Sequence, residues 1–139
     1  MNGAPSCLFC DTSFFYATID RRDENHSRAI EILQDLEEEP RVLATTWEVV
    51  SETLTLLRYR RNHRAAIEFL DHVKPLLQIV PIGDGVRTEA ERVFRRFGQD
   101  HRLSFCDAVT FVVVTTILGN PPCLSFDEDF RALGLHVIR

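Results

Sequence analysis

Five acidic residues stand where their side chains could do chemistry together. Asp11 follows the apolar run Cys7-Leu8-Phe9-Cys10 and precedes two hydroxyls, Thr12 and Ser13. Glu52 lies in a helical stretch among Val49, Val50, Leu54, Leu56 and Leu57, one turn after Glu48. Asp107 opens another helix, three residues after Ser104, and Asp127 and Asp129 follow the short apolar segment Cys123-Leu124-Ser125-Phe126. Each acid has an ordinary structural use. Glu48 and Glu52 suit a solvated helix face, Ser104 and Asp107 suit a capping box, and Asp127 and Asp129 suit the start of a helix. Gathered at one place, however, carboxylates repel one another and resist ionisation unless a divalent cation sits among them. A ligand set of oxygens alone, without His or Cys, favours Mg²⁺ or Mn²⁺ over Zn²⁺. Cations held in this way usually serve phosphate chemistry.

The elements that would gather them follow from the pattern of the chain. Four apolar residues ending at Asp11 predict a buried parallel strand, with the acid at its C-terminal end. Helices are predicted over about 13–20 and 25–38, the second ended by Pro40. A short strand over 41–44 leads to Thr45 or Thr46 as the cap of a long helix reaching about 63. A helix over about 64–74 and a strand over 76–82 follow, with Pro81 limiting the pairing of that strand. Asp84 opens a helix with Val86, Ala90, Val93, Phe94 and Phe97 inward, closed by Gly98. The most apolar helix, about 104–118, is expected to be central and buried. The remainder is a turn at 119–122, a strand at 123–126, a short helix at 127–133 and a strand at 135–138. Strands alternating with helices imply an α/β fold, a parallel sheet covered on both faces. Asp11, Asp107 and Asp127 then fall at the same edge, where ligands of such sheets gather.

Length and composition bound the rest. The 139 residues predict one domain over 1–139, and 45% hydrophobic content with ten Phe supports a core without staples. Sixteen basic against 21 acidic residues leave a net charge of −5, which argues against broad binding to nucleic acid or anionic membrane. Residues 1–6 are too short and polar for a signal peptide, and no run approaches a membrane span, so a cytoplasmic location with reduced thiols is expected. Cys7-x-x-Cys10 lies inside the apolar run rather than at a helix start, and no second CxxC or HxxxH accompanies it. It therefore reads as two small buried strand residues. Two basic stretches stand out on this acidic chain. One is Arg58-Tyr59-Arg60-Arg61-Asn62-His63-Arg64. The other comprises Arg92, Arg95, Arg96, His101 and Arg102. They suit either helix C-termini or contacts to a phosphate backbone.

The order and spacing of four segments resemble PIN-domain nucleases, and among them the VapC toxins of prokaryotic toxin–antitoxin pairs. The segments are Asp11-Thr12-Ser13, the stretch Thr45 to Leu54, Leu103 to Ala108, and Ser125 to Phe130. The resemblance covers residues 8–138. It implies a three-layer α/β/α sandwich with strand order 3-2-1-4-5 and metal-dependent endonuclease activity on RNA. By position, Asp11, Glu52 and Asp107 match the three most regular acids of the family. Asp127 is the first choice for the fourth and Asp129 the second. Ser13 matches the hydroxyl that supports the first acid. His26 sits where relatives often carry His but receives no role, and Cys106 stands where Thr is common.

The reading is a Mg²⁺- or Mn²⁺-dependent endoribonuclease, with Arg58, Arg60, Arg61 and Arg64 as RNA contacts. The implied partners are an RNA substrate, a cognate antitoxin and a second copy in a homodimer, with no membrane. The rival readings are a PIN-like module that binds RNA or protein without cutting, and an RNA-processing nuclease without an antitoxin.

Overall fold

The apolar run Cys7–Cys10 forms β1 in a computed structural model that describes residues 6–139. Leu8, Phe9 and Cys10 are each at most 1% exposed. Successive strand residues point to opposite faces, so both faces of the sheet are covered. Four further strands complete a five-stranded sheet. They are β2 (Val42–Thr45), β3 (Leu77–Ile79), β4 (Cys123–Leu124) and β5 (Val137–Ile138). All pairings are parallel and the order is β3-β2-β1-β4-β5, the order expected. The expectation of no leader rests mainly on residues 1–5, which lie outside the described residues.

Among the described residues seven α-helices connect the strands: α1 (Thr12–Ile19), α2 (His26–Glu38), α3 (Trp47–Arg60), α4 (His63–His72), α5 (Asp84–Phe97), α6 (Phe105–Val112) and α7 (Asp129–Ala132). Capping chemistry sets several of their starts. Asp11 caps α1, and Thr46 rather than Thr45 caps α3. Thr45 instead donates its hydroxyl to the Cys10 carbonyl, tying β2 to β1. Asn62 caps α4 through its Oδ1, so α3 stops at Arg60, three residues earlier than its composition suggests.

Other boundaries also moved. The strand expected over 76–82 pairs only over Leu77–Ile79, after a turn of 3₁₀ helix at Lys74–Leu76. The Val80 N–H makes one more bond, to the Thr45 carbonyl, before Pro81, which has no N–H to continue it. The apolar helix expected over 104–118 is α helical only to Val112 and then widens into a π turn, Val113–Ile117. Thr115 and Thr116 donate their hydroxyls to the carbonyls of Phe111 and Val112, a back-bonding that bends helices. Phe94, expected inward on α5, is 41% exposed and meets the half-exposed Phe105 edge to face at 6.0 Å. Gly98 does end α5, but in right-handed geometry, φ −65°. Its reason is space, since a Cβ there would stand 2.5 Å from the Phe94 carbonyl oxygen.

The topology places the site. From β1 the chain moves to β2 and β3 on one side, then crosses to β4 on the other. In open α/β sheets the crevice beyond the strand ends at such a reversal is where ligands bind. Here it lies beyond the C-terminal ends of β1 and β4.

Candidate active site

A cavity of about 350 Å³ opens at that point, and Asp11, Glu52, Asp107 and Asp127 all line it. Each comes from a different segment: the end of β1, the middle of α3, the first turn of α6 and the loop after β4. Asp129 is not part of the wall.

Asp11 is 3% exposed and is held through one oxygen. Its Oδ2 accepts from the Ser13 hydroxyl at 3.0 Å, the Ser125 hydroxyl at 3.0 Å and the Ser13 N–H at 3.4 Å. The two hydroxyls are fixed in turn by the loop after β4. The Phe126 N–H donates to Ser13 Oγ at 2.8 Å, and the Asp127 N–H donates to Ser125 Oγ at 3.0 Å. The first acid and the loop carrying the fourth are thereby one hydrogen-bonded unit. Ser13 was expected from sequence and Ser125 was not. Its position two residues before Asp127, at a strand end, was the available signal.

Asp107 closes the capping box with Ser104. Its N–H donates to Ser104 Oγ at 3.0 Å, and its Oδ2 accepts from the Ser104 N–H at 3.2 Å. The capping box is present, and it also holds the carboxyl at the cavity wall. Asp127 likewise uses Oδ1 to accept the Asp129 N–H at 2.9 Å at the start of α7.

The electrostatics follow from this crowding. Burial pushes the Asp11 carboxyl up to about 6 against the hydrogen bonds of Thr12, Ser125 and Ser13. Burial, then the charges of Asp11 and Asp127, push Asp107 up to about 7, while its bonds to Ser104 oppose the rise. The neighbouring Cys106 thiol is raised by burial and by the charges of Glu52, Asp11, Asp107 and Glu48, so it is not a reactive thiolate. Among the described residues no three His, Cys, Asp or Glu side chains close tightly enough to hold a metal ion between them. The donor set is nonetheless one that suits a hydrated hard cation. Mg²⁺ keeps several waters and takes one or two carboxylates directly, and its charge would favour the ionised forms of the buried Asp11 and of Asp107, which Asp11 and Asp127 repel.

The four arginines expected at RNA separate. Arg60 lines the acid cavity, together with Tyr16, Asp23, Asn25 and Leu56. Arg61 is turned to the buried Asp20, Nε to Oδ1 at 3.5 Å. Arg61 and Arg64 border a separate cavity of about 220 Å³ with Arg21 and Asn62. Arg58 is exposed and belongs to neither wall. His26 serves the fold, with Nδ1 2.6 Å from the Ala17 carbonyl oxygen. The cysteines are free, and Cys10 and Cys123 are buried in adjacent strands.

Comparison with known proteins agrees with this geometry. The profile of the PIN domain matches residues 8–135. The 23S rRNA-specific endonuclease VapC20 of Mycobacterium tuberculosis, in strains CDC 1551 / Oshkosh and H37Rv, is 29% identical over 133 residues, 95% of this chain and 98% of the relative. The crystal structure of M. tuberculosis VapC20, a sarcin–ricin loop cleaving toxin, superposes with a TM-score of 0.80 at 28% identity, covering 92% of this chain and 95% of that one. VapBC2 of Rickettsia felis, bound to a DNA fragment from its promoter, gives 0.67 at 13% identity over 95% and 97% of the two chains. FitAcB of Neisseria gonorrhoeae gives 0.66 at 17% over 95% and 96%. The last two share the fold alone. A profile match over nearly the whole chain, on a 3-2-1-4-5 parallel sheet with four acids at its switch point, makes this chain a member of the PIN-domain family.

Proposed function

We propose that this PIN-domain protein is a metal-dependent endoribonuclease and the toxin of a toxin–antitoxin pair. The observation that carries the reading is the convergence of Asp11, Glu52, Asp107 and Asp127 on one cavity at the sheet's switch point. Likeness to VapC20 over almost the full length of both chains supports RNA, and ribosomal RNA in particular, as the substrate.

The four acids are the proposed ligand set, with Asp127 rather than Asp129 as the fourth, since Asp127 lines the cavity. Mg²⁺ or Mn²⁺ bound there would supply Lewis acidity to a phosphoryl oxygen and lower the pKa of a water. Asp11 offers a carboxyl fixed by Ser13 and Ser125, and Asp107 one fixed by Ser104. A nuclease acting on cellular RNA needs restraint, so the proposed partners are an antitoxin and, as in many toxins of this kind, a second copy of the chain. The proposed location is the cytoplasm. Among the described residues no helix is long and apolar enough to cross a membrane.

The test is cleavage of purified ribosomal RNA by protein freed of any bound partner, with Mg²⁺, Mn²⁺ or chelator. Discrete cuts that need the metal are expected. Tight RNA binding without cuts under any metal would favour the non-cutting module instead. An activity with no antitoxin gene beside its own would favour a processing enzyme.

A further inference from the structure

The acid cavity has one wall that runs on past the proposed metal ligands. Glu52, Leu56 and Arg60 follow one another at four-residue intervals on α3, and all three line the cavity. They form one stripe of the helix, running away from the acids. Tyr16 lines the same end from α1, one turn beyond Ser13. Arg60 thus stands eight residues past Glu52, roughly 12 Å farther along the helix axis.

The charge pattern makes Arg60 distinctive. Among the described lining residues it is the one cation, facing Asp11, Asp23, Glu52, Asp107 and Asp127. A polyanionic substrate entering such a cavity meets repulsion except at that end. Arg60 is also held in place. Its guanidinium carbon sits 5.5 Å from the centroid of the Tyr16 ring, within the range of a cation–π contact. The ring is fixed from below. Tyr16 is 7% exposed, and its hydroxyl donates to Asp20 Oδ2 at 2.6 Å. Asp20 is equally buried, and also accepts from the Arg22 N–H at 3.0 Å and pairs with Arg61 at 3.5 Å. Burial works to raise the Asp20 carboxyl, but the Tyr16 bond, the Arg22 N–H and the charge of Arg61 outweigh it, so Asp20 is ionised and the Tyr16 bond is charge-assisted. Arg61 is committed to this anchor and Arg60 is not.

We propose that Arg60 is a substrate-positioning residue, holding an RNA phosphate that flanks the scissile one, and that Tyr16 with Asp20 fixes where its guanidinium stands. The inference rests on the ribonuclease reading above. The offset along α3 is what assigns it to a flanking phosphate, because a phosphate among the acids lies too far down the stripe. Planar, weakly hydrated guanidinium stacked on an aromatic ring is suited to this role, and an ammonium is not a full replacement.

The experiment is steady-state cleavage of a 23S rRNA fragment that the wild type cuts, at several salt concentrations. Arg60→Gln should raise KM about tenfold with kcat within about twofold, and flatten the salt dependence of kcat/KM by a slope of about 0.7, one phosphate contact on a single strand. Arg60→Lys should restore the slope and only part of the KM. Tyr16→Leu, which removes the ring, should raise KM at an unchanged slope, and Tyr16→Phe should do so less. A merely structural role would lower the melting temperature without moving the slope. Unchanged KM and slope in Arg60→Gln, or a fall in kcat alone, overturns the proposal. A wild type that cuts no RNA overturns the ribonuclease reading itself, and this inference with it.

Discussion

Asp11 ties local chemistry to stability more directly than any other residue. Its carboxyl titrates near 6 in the fold against about 3.9 in an unfolded chain. The sign of the consequence follows. A raised carboxyl pKa favours the folded state while the group is protonated, fully below pH 4, and that benefit is lost as pH rises through 6. Without metal, therefore, Asp11→Asn should gain on the wild type between pH 4.5 and pH 7, by about 2 kcal/mol. Denaturant titration of both proteins in chelator at the two pH values measures the gap, and a gap that does not grow contradicts the shift. At this scale the candidate aspartates were readable from their order, since each followed a strand or opened a helix, and Glu52 from its apolar neighbours within α3. Ser125 and the separate fates of Arg60 and Arg61 were not. Adjacent helical residues point about 100° apart, so a basic run does not say which arginine faces the acids. The four-residue spacing from Glu52 would have pointed to Arg60.

The element that matters most is α6, because its first turn is both a cap and part of the site. Ser104→Ala removes the acceptor for the Asp107 N–H and should cost about 1 kcal/mol, whereas Ser104→Gly should cost only a few tenths. A Ser104→Ala variant that melts with the wild type would mean that the hydroxyl contributes little. Strand and helix order was legible because apolar runs, caps and prolines agree along the chain. The end of α6 was not. Its apolar composition predicts a continuous helix, and only the paired threonine hydroxyls at 115 and 116 betray the widened turn. Phe94 was misplaced for a related reason. It adjoins the inward stripe of Ala90, Val93 and Phe97, and its contact with Phe105 decides its direction.

At the scale of the whole molecule, the proposed function has a −5 chain admit an anion by gathering carboxylates where a cation would reverse their sign. Binding of Mg²⁺ or Mn²⁺ to the folded state alone should stabilise the wild type by about 2.7 kcal/mol at a hundredfold excess over the dissociation constant. Asp11→Asn should lose most of that gain, so its advantage in chelator narrows or reverses when metal is added. Melting curves of both proteins across a metal titration show the crossing, and parallel curves would mean that the acids bind no cation.

The central claim is that four acids brought to one sheet edge cut RNA, and single-turnover cleavage with each acid neutralised tests it most directly. Under saturating Mg²⁺ or Mn²⁺, Asp11→Asn, Glu52→Gln, Asp107→Asn and Asp127→Asn should each remove at least about a hundredfold of the rate, the scale of losing one electrostatic stabiliser. Asp129→Asn, outside the cavity wall, should cut at close to the wild-type rate. All five should remain folded. Near wild-type cleavage by Asp11→Asn or Asp107→Asn would contradict the account, because those two carboxyls are the most deeply built into the cavity.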